Sequence, residues 1–265
     1  MWNKTLSTAS VFCRALVSNG YLSESQMRHA ALRYRLGCSR SGGVIFWQID
    51  QEDRIHDGKI MYYRPDCHRN KDKRFHPTWV SALLQRRYRF PDTPKASHCL
   101  FGLHLLGHTE NTEITDISRP AEIKEKVTLE CAKHSNISVD SVISVCHKKS
   151  VCVVEAEKTA VIMSEHYPQC IWLATGGLGE VQVEKFRPLR GHKVIMFPDT
   201  DPDGTAFKRW SEAADMVHRQ IWWEDCPPIR VSRILEDRAS PDQKSRKIDL
   251  VDFLFSTADY ADCTD

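Results

Sequence analysis

Three short apolar runs, VCVVE at 151–155, IWLAT at 171–175 and KVIMFPD at 193–199, constrain this chain more than any other feature. None of them alternates apolar with polar residues, so each reads as a strand covered on both faces. Between and after them lie helical patterns, KTAVIMSEHY and TAFKRWSEAADMVHRQ. Short buried strands alternating with helices predict a parallel sheet with right-handed crossovers, the α/β class. In such a sheet, ligands bind outside the carboxyl ends of the strands, which makes those ends the first place to look for chemistry.

The preceding residues have a different character. Residues 10–36 carry apolar positions at helical spacing, and Ser23 followed by Gln26 resembles a capping box. GVIFWQID and GKIMYYR, separated by the polar QEDRIHD, predict a hairpin or meander. Residues 65–98 are polar and basic, the densest positive stretch of the chain. A polar connector and two helical patterns then predict a helix-turn-helix-like insertion at 107–150. The expected division is a helical, then β-rich and basic N-terminal subdomain at 1–106, the inserted segment at 107–150, and the α/β domain at 151–265. Within the last, IWWEDCPPIRVSRILEDRAS and KIDLVDFLF predict a final strand and helix, Trp222 and Trp223 read as core, and 256–265 are expected to fray.

With 41% hydrophobic residues in 265, the chain is long enough to bury a real core. A formal charge of +2 says little about partners. The ten cysteines include no Cys-x-x-Cys pair and the start lacks a long apolar h-region, so reduced thiols in a cytoplasmic protein are expected. No run approaches the roughly 18 apolar residues that span a bilayer, so no membrane partner is expected.

The first strand ends at Glu155, the second at Gly176-Gly177, and the third at Asp199-Thr-Asp201-Pro-Asp203-Gly204. Clustered carboxylates repel unless a cation neutralises them, and Mg²⁺ takes carboxylates together with water and phosphate oxygens. The predicted metal set is Glu155, Asp199, Asp201 and Asp203, with Mg²⁺ or Mn²⁺ as cofactor. Taken singly, each motif has a plainer reading: a strand-end carboxylate, or a surface turn capping the next helix. An EF-hand loop fails, since counting Asp199 as its first position puts Trp210 where the bidentate Glu belongs.

In that order, Val-Val-Glu155, the helix, Gly176-Gly177 and Asp199-x-Asp201-x-x-Gly204 resemble the toprim domain shared by bacterial primases, topoisomerases and some nucleases. FWQID, DGKIMYYR and CLFGLHLL are similar to the β-rich N-terminal subdomain of the bacterial primase core. The nearest likeness is to primase-like toprim proteins of bacterial mobile elements, through the strings FWQID, GKIM, LFG-x-HLL, VE-x-EKTA, W-x-ATGG, FPD-x-D and IDL-x-D. The likeness covers roughly residues 20–256, with 107–150 unmatched.

The resemblance implies a toprim-type parallel sheet behind a smaller α+β subdomain, and nucleotidyl transfer on single-stranded DNA in mobile-element replication, with nucleotides and a replicative helicase as partners. It makes Glu155 a general acid/base or metal-linked carboxylate, Asp199 and Asp201 the magnesium holders, and Gly176 and Gly177 the point where backbone approaches phosphate. Lys158 is a candidate phosphate contact, or a solvated lysine in a first helical turn. Lys59, Arg64, Arg69, Lys71 and Lys73 are the candidate strand-binding residues. Two departures stand out. Replicative primases carry Glu-Gly-x-x-Asp at the first strand, where this chain has Thr159 in place of the acid, and no zinc-ribbon module is legible upstream. A tyrosine-dependent topoisomerase does not fit the chain's length. A non-catalytic accessory protein that keeps the toprim fold stays open, as does a toprim nuclease.

Overall fold

The computed structural model describes residues 5–88, 97–107, 150–222 and 226–255. Most of the expected 107–150 insertion, together with Trp223 and the 256–265 tail, lies outside these residues.

Helices α1 (Val11–Ser18) and α2 (Glu24–Arg33) open the chain, and α2 carries the capping box that Ser23 and Gln26 predict. Strands β1 (Gly37–Cys38), β2 (Val44–Ile49), β3 (Ile55–Met61) and β4 (Thr78–Trp79) follow, making an antiparallel sheet in the order β1-β2-β3-β4. Helix α3 (Val80–Tyr88) continues directly from β4. The β2–β3 hairpin is tighter than its polar QEDRIHD linker implies, since β3 already begins at Ile55. Asp50 closes the turn by accepting from the Glu52 and Arg54 backbone N–H groups and the Arg54 guanidinium. Burial alone would raise its carboxyl, but the His56 hydrogen bond and these donors outweigh burial and hold it at about 2. Gly58 pairs with Trp47 across the ladder, and a Cβ there would stand 2.8 Å from the indole ring, which accounts for the glycine in DGKIM.

The second sheet is parallel. It contains β5 (Val151–Val154), β6 (Ile171–Ala174), β7 (Val194–Phe197) and β8 (Arg230–Val231) in the order β6-β5-β7-β8. Helix α4 (Glu157–His166) connects β5 to β6, and α5 (Thr205–Val217) follows β7. Three short helices, α6 (Ile234–Arg238), α7 (Pro241–Arg246) and α8 (Leu250–Phe255), complete the described chain. The expected final strand and helix are therefore β8 and α8.

Successive residues of β5, β6 and β7 enter opposite cores. Cys152, Val154, Trp172, Ala174, Ile195 and Phe197 join one cluster with α1, α2, α4 and the Val44, Phe46 and Met61 face of the antiparallel sheet. Val151, Val153, Ile171, Leu173, Val194 and Met196 join the other, with Trp210, Trp222 and Phe186. Burial on both faces is why these strands read as unbroken apolar runs. The first cluster welds the two sheets together, reinforced by the buried Tyr34 hydroxyl donating to the Trp172 carbonyl at 2.8 Å. CLFGLHLL adds a second seam, with Phe101 and Ala174 exchanging backbone hydrogen bonds of 2.9 and 3.1 Å at the outer edge of β6. Among the described residues no helix is long and apolar enough to cross a membrane.

Candidate functional site

Glu155, the Gly176-Gly177 turn and Asp199 leave the same edge of the parallel sheet, because each begins within two residues of the carboxyl end of one of three adjacent parallel strands. Gly176 has φ +91°, a left-handed backbone that favours glycine, and its N–H donates to the Glu155 carbonyl at 2.9 Å. The turn also aims the Leu178 N–H at the Glu155 carboxylate. A cleft of about 290 Å³ opens here, lined by Glu155, Lys158, Gly177, Asp249, Asp252 and Arg69 among others.

Asp249 and Asp252 reach this edge from the far end of the chain. Thr200, just past β7, donates its backbone N–H to the Ile248 carbonyl at 3.0 Å, which lays the start of α8 beside Asp199. Asp249 accepts from the Thr159 hydroxyl at 2.6 Å and from the Asp252 N–H at 2.8 Å. Lys158 stands 3.6 Å from both Asp249 and Asp252. Its ammonium thus faces those carboxylates, and Thr159, which departs from the primase pattern, secures one of them.

Negative charge is in excess. Burial, followed by the fields of Asp249, Glu155 and Asp252, pushes the Asp199 carboxyl well above its usual range against the opposing charge of Lys158. Burial likewise raises Glu155, although the Leu178 N–H and Lys59 pull the other way. Asp252 is raised by burial and then by Asp249. Lys158 responds in kind: burial would lower its ammonium, but Asp249 and Asp252 outweigh burial and hold it above the ordinary lysine range.

Asp201 makes a different set of contacts. Its carboxylate accepts from the backbone N–H groups of Asp203 at 3.0 Å, Thr205 at 2.9 Å and Ala206, closing the turn into α5. Burial alone would raise it, yet these three donors hold it below the usual carboxylate range. Gly204, at φ +66°, supplies the left-handed residue of the same turn, and Asp203 is exposed. Trp210 is buried in α5. Asp201→Ala should therefore cost about 1–2 kcal/mol, as the loss of a helix cap does, with or without divalent metal. Because the folded-state value lies below the unfolded one, that contribution is present above about pH 4 and is lost as pH falls further. Urea unfolding at pH 7 in chelator and in Mg²⁺ checks this; a loss seen only with metal would assign Asp201 to an ion instead.

The five candidate strand-binding residues divide in two. The Lys59 ammonium bonds Glu157 at 2.9 and 3.2 Å and the Gly176 carbonyl at 2.7 Å, tying β3 to the glycine turn. Arg64 pairs with Asp66 at 2.6 Å. Arg69, Lys71 and Lys73 are exposed on the loop after β3, and Arg69 lies on the rim of the acidic cleft.

The family model for a domain of unknown function (DUF6371) matches residues 10–121 and 140–200. The chain belongs to that family. The DUF6371 match takes in the basic loop, Glu155, the glycine pair and Asp199, and ends before Asp201, Asp249 and Asp252. No curated protein and no solved structure matches the chain.

Among the described residues of this DUF6371 chain, no three His, Cys, Asp or Glu side chains form a ready-made group around an ion. The donor chemistry nonetheless suits a hard cation. Glu155, Asp249 and Asp252 bring carboxylates to the cleft, with Asp199 leaving the same sheet edge behind them, and Glu155, Asp199 and Asp252 are raised by burial first and then by neighbouring negative charge. Mg²⁺ keeps several waters and uses one or two carboxylates, so it needs no preformed cage. These four residues could hold it. Asp249 and Asp252 are not among the site residues the sequence predicts; the IDL-x-D string that contains them is the one signal that points to them.

Proposed function

We propose that this chain is a toprim-type, primase-like nucleotidyltransferase that acts on single-stranded nucleic acid with Mg²⁺ or Mn²⁺. The reading rests on one observation above all: an excess of carboxylates at the carboxyl edge of a parallel sheet, between a glycine turn and an exposed basic loop. A divalent ion bound there supplies charge stabilisation for an in-line displacement at phosphorus. Asp199 would hold it, with Asp249 and Asp252 steadied by Lys158. Glu155, raised by burial, is suited to exchanging a proton with the attacking or leaving oxygen. Gly176 and Gly177 leave room for phosphate to approach the backbone. Mobile-element replication is the setting that the sequence resemblance implies.

Purified protein incubated with single-stranded DNA, labelled nucleotides and Mg²⁺ or Mn²⁺ should yield extended or newly made strands, and Asp199→Asn should yield none. Strand shortening without extension would make the protein a nuclease. Binding with no change in the strand would favour a non-catalytic accessory role, for which one observation speaks: Lys158 already supplies internal countercharge to Asp249 and Asp252.

The basic loop gives a separate expectation. Replacing Arg69, Lys71 and Lys73 together with Ala should weaken single-strand binding and reduce the slope of log affinity against log salt by about 2, at roughly 0.7 per phosphate contact. Filter binding across a salt series reads both quantities. An unchanged slope would place the three residues away from the strand.

A further inference from the structure

A second cavity, of about 710 Å³, lies between the β4–α3 corner and the turns that follow the glycine pair. On its wall, Trp79 and His98 stack face to face, with ring centroids 3.8 Å apart and planes 20° from parallel. A buried carboxylate holds the pair in place. Asp57, 2% exposed, lies 3.4 Å from His98 Nε2 and accepts from the Gly58 N–H at 2.7 Å, the Ser81 N–H at 3.0 Å and the Ser81 hydroxyl. Gln182 brings an amide, able both to donate and to accept, to the same cavity.

The position matters as much as the lining. Trp79 is the ladder partner of Lys59, and directly opposed residues project from the same face of a sheet. Since the Lys59 ammonium reaches the Gly176 carbonyl, the aromatic pair stands one strand away from the turn that borders the acidic cleft. Glu180, on the cavity wall, is held low first by Lys185 and further by His98 and Lys59, so its surroundings span both places.

We propose that this cavity is a nucleobase site, in which a base packs against the Trp79–His98 pair while the attached phosphates face the acidic cleft. The inference rests on the nucleotidyltransferase reading and names the substrate moiety that reading leaves open. A flat π-face is common to every base, and an aromatic platform recognises it with little sequence preference. The base could belong to a free nucleotide or to a strand.

Calorimetry in Mg²⁺ separates these sources. Its probes are the four ribonucleoside triphosphates beside inorganic tripolyphosphate, and oligothymidylate beside an abasic strand of equal length. In at least one pair the base-bearing ligand should bind about tenfold or more tightly, and that pair identifies the source. Trp79→Ala should erase the difference and leave tripolyphosphate or abasic-strand binding unchanged. Trp79→Phe should keep most of it, and His98→Ala provides a second test should Trp79→Ala fail to fold. Equal affinity within both pairs would overturn the base site and leave the acidic cleft standing, as would equal loss of both members of a pair in Trp79→Ala or His98→Ala. Binding of none of these ligands would overturn both readings.

Discussion

Asp199→Asn should make the metal-free protein more stable and the metal-loaded protein inactive. In chelator, Asp199 sits partly buried among Asp249, Glu155 and Asp252, and removing its charge relieves repulsion. A gain of about 1 kcal/mol corresponds to a rise in Tm of roughly 2–4 °C for a chain of this size. Nucleotidyl transfer should fall by on the order of 10³-fold or more, comparable to the loss of a principal charge-stabilising group. The pH dependence has a definite sign. Asp199, Glu155 and Asp252 have folded-state values above their unfolded ones. Between the two values the folded protein holds more protons, so its stability declines as pH rises from about 4 toward neutrality. Asp50 and Asp201 act oppositely; their stabilisation is complete above about pH 4 and is lost in acid, for Asp50 as pH falls through about 2. Metal-free wild type should therefore be most stable in mild acid, and Asp199→Asn should flatten the decline toward pH 7. Thermal unfolding in chelator from pH 4 to 8 measures it; a variant less stable than wild type at pH 7 would show that Asp199 is a satisfied structural carboxylate.

Lys59→Met should have the largest effect on stability. The Lys59–Glu157 pair is 14% and 3% exposed, and removing the cation leaves a buried carboxylate without its partner and the Gly176 carbonyl without its donor. Breaking such a pair costs about 3–5 kcal/mol, whereas replacing both members with apolar groups costs little. The double variant Lys59→Met/Glu157→Leu should recover most of the loss, with about 1 kcal/mol remaining for the carbonyl. Because Lys59 anchors the glycine turn, the single variant should also lose transfer activity while folded. Urea denaturation of both variants decides the matter; a single variant as stable as wild type would mean the bridge contributes nothing.

What the sequence made legible follows from local signals. The doubly buried strands β5, β6 and β7 announce themselves as unbroken apolar runs, Ser23 and Gln26 mark the start of α2, and Gly176-Gly177 marks a turn that needs left-handed backbone. The 65–98 stretch concealed β4 and α3, because its dense Lys and Arg content hides the spacing of Trp79, Val80 and Leu84. Lys59 read as a strand-binding cation, since nothing local reveals that period-two projection from β3 brings it to Glu157, far along the chain. Asp201 matched a metal motif in sequence, but the same spacing also suits a carboxylate that gathers three backbone N–H groups at a helix start. Asp249 and Asp252 reach the candidate site through long-range contacts, the Thr200–Ile248 and Thr159–Asp249 hydrogen bonds and the Lys158 ion pairs, which have no local signature.

Direct Mn²⁺ titration by calorimetry tests whether the carboxylate edge binds a divalent ion. Wild-type protein at pH 7 should bind the ion, more tightly as pH rises and the carboxyls lose their protons. Asp199→Asn should lose most of that binding, Asp249→Asn should weaken it, and Asp201→Ala should retain it. Wild-type protein that takes up no Mn²⁺, or binds it unchanged in Asp199→Asn, would contradict the account.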